Sequence, residues 1–276
     1  MKEQYEFLKP LGEGGFSRVY LARHRILGRE AAIKEIPPEK KDRENRKYGL
    51  EARLLARGIS GALPCLYDAF EEEGALYLVM EYVKGRSLKE EIRCGMPLAR
   101  IRDTALQLST FLMELHSHSP AVVYLDLKPE NILLEENGRV RVLDLGAARY
   151  PDEKGDRSFT GTKGYAPKAQ ELGEKPVPAW DIYAFGVLLY EMLTGLPMGK
   201  IREQSLKERL LSKEIPIEYR PVLEACFLSP SGRSGILDGS GLQAALQDLK
   251  PFFPGTGNGF RILRSIHCCE VGKKNL

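Results

Sequence analysis

The chain has 276 residues, with 41 Lys plus Arg against 38 Asp plus Glu and a net charge of +3, a balance too even to indicate a nucleic-acid or membrane-surface partner. At 43% hydrophobic and 29% charged, it has the composition of a globular protein with a large core, in one or two domains. Its five cysteines (Cys65, Cys94, Cys226, Cys268, Cys269) are odd in number, lack metal-ligand spacing and read as free thiols of a reducing cytosol, and MKEQYEFLKP at the start has no apolar stretch of signal-peptide type.

Residues 5 to about 83 read as β-rich with one helix. Two short strands between Lys9 and Leu21 flank a glycine cluster, Gly12-Glu-Gly14-Gly15-Phe16-Ser17. Without Cβ atoms, such a backbone can bring its N–H groups close to a phosphate, although a plain hairpin turn would also use these residues. Ala31 to Ile36 is a further strand and carries Lys34. A helix from roughly Lys41 to Arg57 has Leu50, Leu54 and Leu55 on one face, with Glu51 beside them. Glu44 falls inside the charged run Glu39 to Lys47, which reads as solvated surface. Leu76 to Tyr82 (LYLVMEY) is another strand, and Val83 to Ser87, with Gly85, reads as a hinge.

From Leu88 the chain turns helical, with Ile101, Ala105, Leu108, Leu112 and Leu115 forming an amphipathic stripe. Next comes VVYLDLKPENILLEENGRVRVLDLG, residues 122–146. Two β-type runs, Ile132 to Leu134 and Val140 to Leu143, are joined across Asn137-Gly138, a strong hairpin signal. The hairpin should return Asp144 to the neighbourhood of Asn131 and Asp126, gathering three oxygen-bearing side chains suited to a hard cation such as Mg²⁺. The long irregular stretch from Ala147 to about Ala179 is of the kind that usually serves function. Ile182 to Leu193 is apolar all round but short and contains Glu191, so it reads as a buried helix and not a membrane span. Pro251 to Gly259 breaks the helical pattern, and the tail's His267-Cys268-Cys269 lacks the further ligands or apolar anchor that a metal or lipid site needs.

These motifs, in this order over about residues 5 to 250, resemble those of protein kinases, most closely compact bacterial-type Ser/Thr kinases. The resemblance implies an α+β, two-lobed kinase fold: a β-rich N-lobe with one helix (residues 1–83), a mainly helical C-lobe (84–250) and a tail (251–276). It implies ATP in the cleft, with Gly12, Gly14, Gly15 and Phe16 over the phosphates and Val19 and Ala32 as roof. Leu133 would be the floor, Glu81 to Val83 the hinge backbone and Met80 the gatekeeper. Lys34, paired with Glu51 or, as the alternative, Glu44, would reach the phosphates; Asp126 would be the base, Lys128 would neutralise the transferring group, and Asn131 and Asp144 would hold Mg²⁺. Lys128 also marks Ser/Thr kinases, so the expected partner is a protein hydroxyl, with no nucleic acid and no membrane span. Thr162, in Gly161-Thr162-Lys-Gly-Tyr165, would lie near Asp126 and Lys128, and Asp181 would bond the catalytic-loop backbone or, alternatively, cap a helix. Tyr124, Leu145, Leu55 and Leu66 would form a packed column.

The departures from the pattern are specific. Ser17 replaces a glycine, Tyr124-Leu125 replaces His-Arg, Leu145 replaces Phe, and Lys168 stands where Ala-Pro-Glu would place a glutamate for Arg233, leaving Glu171 as a substitute. Leu125 cannot bind a phosphate, so activity independent of phosphorylation at Ser158 or Thr160 is expected. A pseudokinase scaffold and a small-molecule phosphotransferase stay open as alternatives.

Overall fold

The computed structural model describes residues 2–13, 17–37, 49–151, 159–196, 205–231 and 236–249. Gly14, Gly15, Phe16, Glu44, Ser158, Arg233 and the tail 251–276 lie outside the described residues.

The first layer is an antiparallel sheet of β1 (Tyr5–Glu13), β2 (Arg18–His24), β3 (Glu30–Ile36), β4 (Leu66–Glu72) and β5 (Ala75–Glu81), ordered β1-β2-β3-β5-β4. Central β3 and β5 are almost wholly buried because both their faces are covered. One face contributes Ala31, Ile33, Tyr77 and Val79 to a cluster with Tyr5, Ala22 and Phe70; the other contributes Ala32, Ile36, Leu78 and Met80. Alternation along β3 puts Lys34 on the second face, which looks into the molecule. Pro10 is tolerated in β1 because that strand is an edge and bulges between Pro10 and Gly12. Strand β4 has no counterpart in the sequence reading. It is the opposite edge, alternately half-buried and exposed with only Phe70 deeply covered, so LYDAFEE lacks a strong apolar signal.

Helix α1 covers residues 49–57 among those described, buries Leu50, Leu54 and Leu55, and stops at Gly58, whose φ of 56° suits a helix C-terminus. The helical layer contains α2 (Leu88–Cys94), α3 (Leu98–His116), α4 (Lys168–Glu171), α5 (Pro178–Thr194), α6 (Leu206–Leu211), α7 (Arg220–Leu228) and α8 (Gly239–Gln247). Ser87 and Glu90 form a reciprocal capping box that starts α2. The stripe on α3 is buried as its periodicity requires, and the mostly apolar α5 runs through the centre of the bundle against α3, α7 and α8. A small sheet of β6 (Arg86–Ser87), β7 (Ile132–Leu134) and β8 (Val140–Val142) lies at the junction of the two layers. Strand β8 ends one residue before the expected Leu143, whose N–H turns to Asn131 O at 2.9 Å. Among the described residues no helix is long and apolar enough to cross a membrane.

Candidate active site

Lys34 is 4% exposed, and an isolated ammonium could not remain charged at that depth. It is not isolated. Its Nζ lies 2.9 and 2.8 Å from the two Glu51 oxygens and 2.8 Å from Asp144 Oδ1. Burial alone would lower the Lys34 ammonium, but the two carboxylates outweigh it and raise it. Burial pushes the Glu51 carboxyl up, with Lys34 pulling against it. Burial works upward on Asp144 as well, yet Lys34 and the Gly146 N–H, 2.8 Å from Oδ1, overcome it and hold the carboxyl at about 2. Gly146 leaves the cluster room, since a Cβ there would sit 3.1 Å from Asp144 Oδ1 and would press that oxygen by a few tenths of an ångström.

The β7–β8 hairpin brings this cluster beside a second one. The turn from Glu135 to Arg139 is closed by two bonds, Glu135 N–H to Arg139 O at 3.0 Å and Gly138 N–H to Glu135 O at 2.9 Å, with Gly138 at φ 84°. At its open end, Asn131 Nδ2 donates to the Asp126 carbonyl (3.0 Å) and to Asp126 Oδ2 (2.9 Å). Lys128 Nζ lies 2.8 Å from the same Oδ2, and Thr162 Oγ1 donates to Asp126 Oδ1 at 2.6 Å. Lys128 also donates to Thr162 Oγ1 at 2.8 Å, closing a ring of three side chains. Asp126 and Lys128 keep 16% and 22% of their side chains exposed, and Asp144 keeps 46%, so both clusters open to solvent.

Beneath the loop, Asp181 is fully buried and accepts from the N–H groups of Tyr124 (2.7 Å) and Leu125 (2.8 Å). It also pairs with His116 Nε2 at 2.9 Å. The residue flanking α5 as its N-cap is Val177, so the capping alternative for Asp181 is ruled out. Tyr124 and Leu145 are buried in the same core as Leu55, with Leu66 packed against it.

Val19, Ala32 and Met80 share the inward sheet face. Gly12 pairs with Val19 at the end of the β1–β2 pair where the two strands are connected. Leu133 is half-buried between fully covered Ile132 and Leu134, which turns its side chain out of the lower core. Val83 is buried. Glu81 directs its carboxylate away, to Arg141 on β8 (2.5 and 3.1 Å) and the Cys65 N–H (3.2 Å), leaving the backbone as its possible contribution to a cleft. Sequence reasoning did not find Arg141, which is 3% exposed and donates to Leu63 O at 3.0 Å. It also passed over Gln170, 4% exposed in α4, and His116. Lys168 points to solvent with its side chain 78% exposed, 3.8 Å from Glu171.

The protein kinase domain profile matches residues 5–224. The chain is 33% identical over 223 residues to the serine/threonine-protein kinase PrkC of Bacillus subtilis, covering 79% of this chain and 34% of that protein. It is 33% identical over 271 residues to human ribosomal protein S6 kinase alpha-2 (91% and 36%) and 34% identical over 222 residues to human ribosomal protein S6 kinase alpha-3 (76% and 30%). The chain thus spans about a third of the length of these curated relatives. On its profile match, its two-layered fold and its relatives together, the chain belongs to the protein kinase domain family.

Proposed function

We propose that the protein is a serine/threonine protein kinase that transfers the γ-phosphoryl group of Mg-ATP to a protein hydroxyl. The observation that carries this reading is the pairing of two clusters across one hairpin: Lys34–Glu51–Asp144 and Asp126–Lys128–Thr162–Asn131. Phosphoryl transfer asks a protein mainly for positioning and for charge placed where negative charge develops. Lys34, aimed by Glu51, would bind the α- and β-phosphates. Asp126 would orient the acceptor hydroxyl and take its proton on the oxygen beside Thr162, while Lys128 would offset charge on the group in transfer. The adenine would lie between Val19 and Ala32 above and Leu133 below, beside Met80 and the backbone of residues 81–83. Asn131 and Asp144 supply hard oxygen donors, and Mg²⁺ is commonly held by one or two such groups together with substrate phosphates; bound there, it would neutralise phosphate charge.

The proposed division is an N-lobe of residues 1–83 and a C-lobe of 84–250, with Val83 to Ser87 as hinge. Gly85 supports it, because a Cβ there would come within 2.6 Å of Leu134 O, so only glycine lets the chain cross β7 this closely. Cys65, Cys94 and Cys226 are free thiols, which supports a reducing, cytoplasmic setting. The test is transfer of label from radioactive ATP to generic protein substrates. Lys34→Met and Asp126→Asn are each expected to lower transfer by about 10²-fold or more, with phosphoserine or phosphothreonine in the wild-type product. Equal labelling by wild type and both variants, or phosphotyrosine alone, overturns the reading. Nucleotide binding without transfer favours a scaffold.

A further inference from the structure

Leu125 adopts φ 70°, a conformation that non-glycine residues rarely take and that persists only where the surroundings enforce it. Its side chain is buried with Val123 and Trp180, with Ala147 and Ala169 packed against them. Its N–H goes to Asp181 Oδ1 (2.8 Å), and its carbonyl receives Gln170 Nε2 at 2.8 Å. The same nitrogen donates to Thr160 O at 2.7 Å. Both partners are carbonyl oxygens, which only accept, so the nitrogen end of the Gln170 carboxamide must face them, and both its protons are used. Gln170 is 4% exposed, so these bonds are shielded from competing water. Backbone shape is matched to the contact: Gly161 has φ 116°, and a Cβ there would lie 2.5 Å from both Gln170 Nε2 and Leu125 O. The next residue is Thr162, whose hydroxyl reaches Asp126 at 2.6 Å.

We infer that Gln170 is a positioning residue that ties residues 160–162 to the Asp126 loop by two neutral hydrogen bonds, doing without modification what a phosphate and an arginine would otherwise do. This rests on the kinase reading. It identifies how an unphosphorylated segment is kept in register with the acceptor site, and it explains why an apolar cluster around Leu125 is compatible with order there. The carboxamide holds the main chain on both sides, so no charge needs to be compensated.

The experiment compares phosphatase-treated wild type with Gln170→Met, which keeps length and apolar bulk but donates nothing, and with Gln170→Glu. A glutamate facing two carbonyls can donate only when protonated, and its buried carboxyl titrates above the ordinary range. Both variants are expected to lower kcat about tenfold or more at neutral pH, the effect of about one lost buried hydrogen bond per tenfold, with KM for ATP within about twofold. The ratio of Gln170→Glu to Gln170→Met activity should rise as pH falls, which a purely structural defect would not produce. Backbone amides of residues 160–166 should exchange hydrogen faster in both variants. Gly161→Ala, which leaves the carboxamide intact but pushes it aside, should reproduce the kcat loss even if a Gln170 variant folds poorly. Variants with wild-type kcat and unchanged exchange at 160–166 overturn the inference, as does a wild type that is inactive until its segment is phosphorylated. A wild type that binds ATP and transfers nothing overturns the kinase reading instead, and the exchange comparison then still decides the Gln170 contact.

Discussion

Lys34 shares one positive charge between two unequal carboxylates. Glu51 is 1% exposed, while the Asp144 side chain is 46% exposed and held at about 2, below its ordinary range. A carboxyl depressed in the folded state contributes stability that is complete above its unfolded pKa, about 3.9, and is lost as pH falls through the folded value. The window for Asp144 is therefore about pH 4 down to about pH 2. Asp144→Asn should lose less of its urea midpoint than wild type between about pH 4 and about pH 2; parallel losses would remove this account. Asp181 makes a different kind of contribution. Its two oxygens accept from two backbone N–H groups and a histidine in a fully buried site, so Asp181→Asn forces an N–H₂ against a donor. A loss of about 1–3 kcal/mol is expected by denaturant unfolding, together with a lower kcat. Positions such as Lys34, Asp126, Asn131 and Asp144 were legible because their spacing is fixed by one strand and one hairpin. Arg141 and Gln170 were not. Each satisfies main-chain carbonyls from distant segments, and nothing in the surrounding residues separates such a side chain from one that is solvated.

At the scale of elements, periodicity carried most of what could be read. Helix α3 shows its buried stripe because its other face meets solvent, and α5 shows none because it is covered on all sides. Edge strand β4 left no such mark. The covering of α5 demands close contact at one point, where a Cβ on Gly186 would stand 2.5 Å from Cys226 Cβ on α7. Gly186→Ala should gain intrinsic helix propensity and still be destabilised by about 1–3 kcal/mol, because the clash outweighs the gain. The obstacle is the Cβ, so Cys226→Ala should not relieve it, whereas Cys226→Gly should restore part of the melting temperature. Full relief by Cys226→Ala would show that the sulfur, not the helix separation, sets the limit.

At the scale of the whole molecule, the two layers are joined by more than the chain that passes from β5 to α2. Three consecutive carbonyls ahead of β4, from Gly61, Ala62 and Leu63, accept from the Arg139 side chain (2.7 Å), the Val142 N–H (2.9 Å) and the Arg141 side chain (3.0 Å) of the hairpin. Arg141 adds its ion pair with Glu81 at the end of β5. Arg141→Met keeps the apolar stem but leaves Glu81 and Leu63 O without that partner. It should cost about 2–3 kcal/mol, less than a fully buried pair because Glu81 is 28% exposed, and should raise KM for ATP more than it lowers kcat. The same three carbonyls have a mechanical consequence. They tie the segment that leaves α1 to the β7–β8 hairpin, so Glu51 on that helix and Asp144 just past the hairpin belong to one frame. Lys34 comes to them from the sheet, and its reach to both carboxylates is the gauge of how closely the two layers are drawn together.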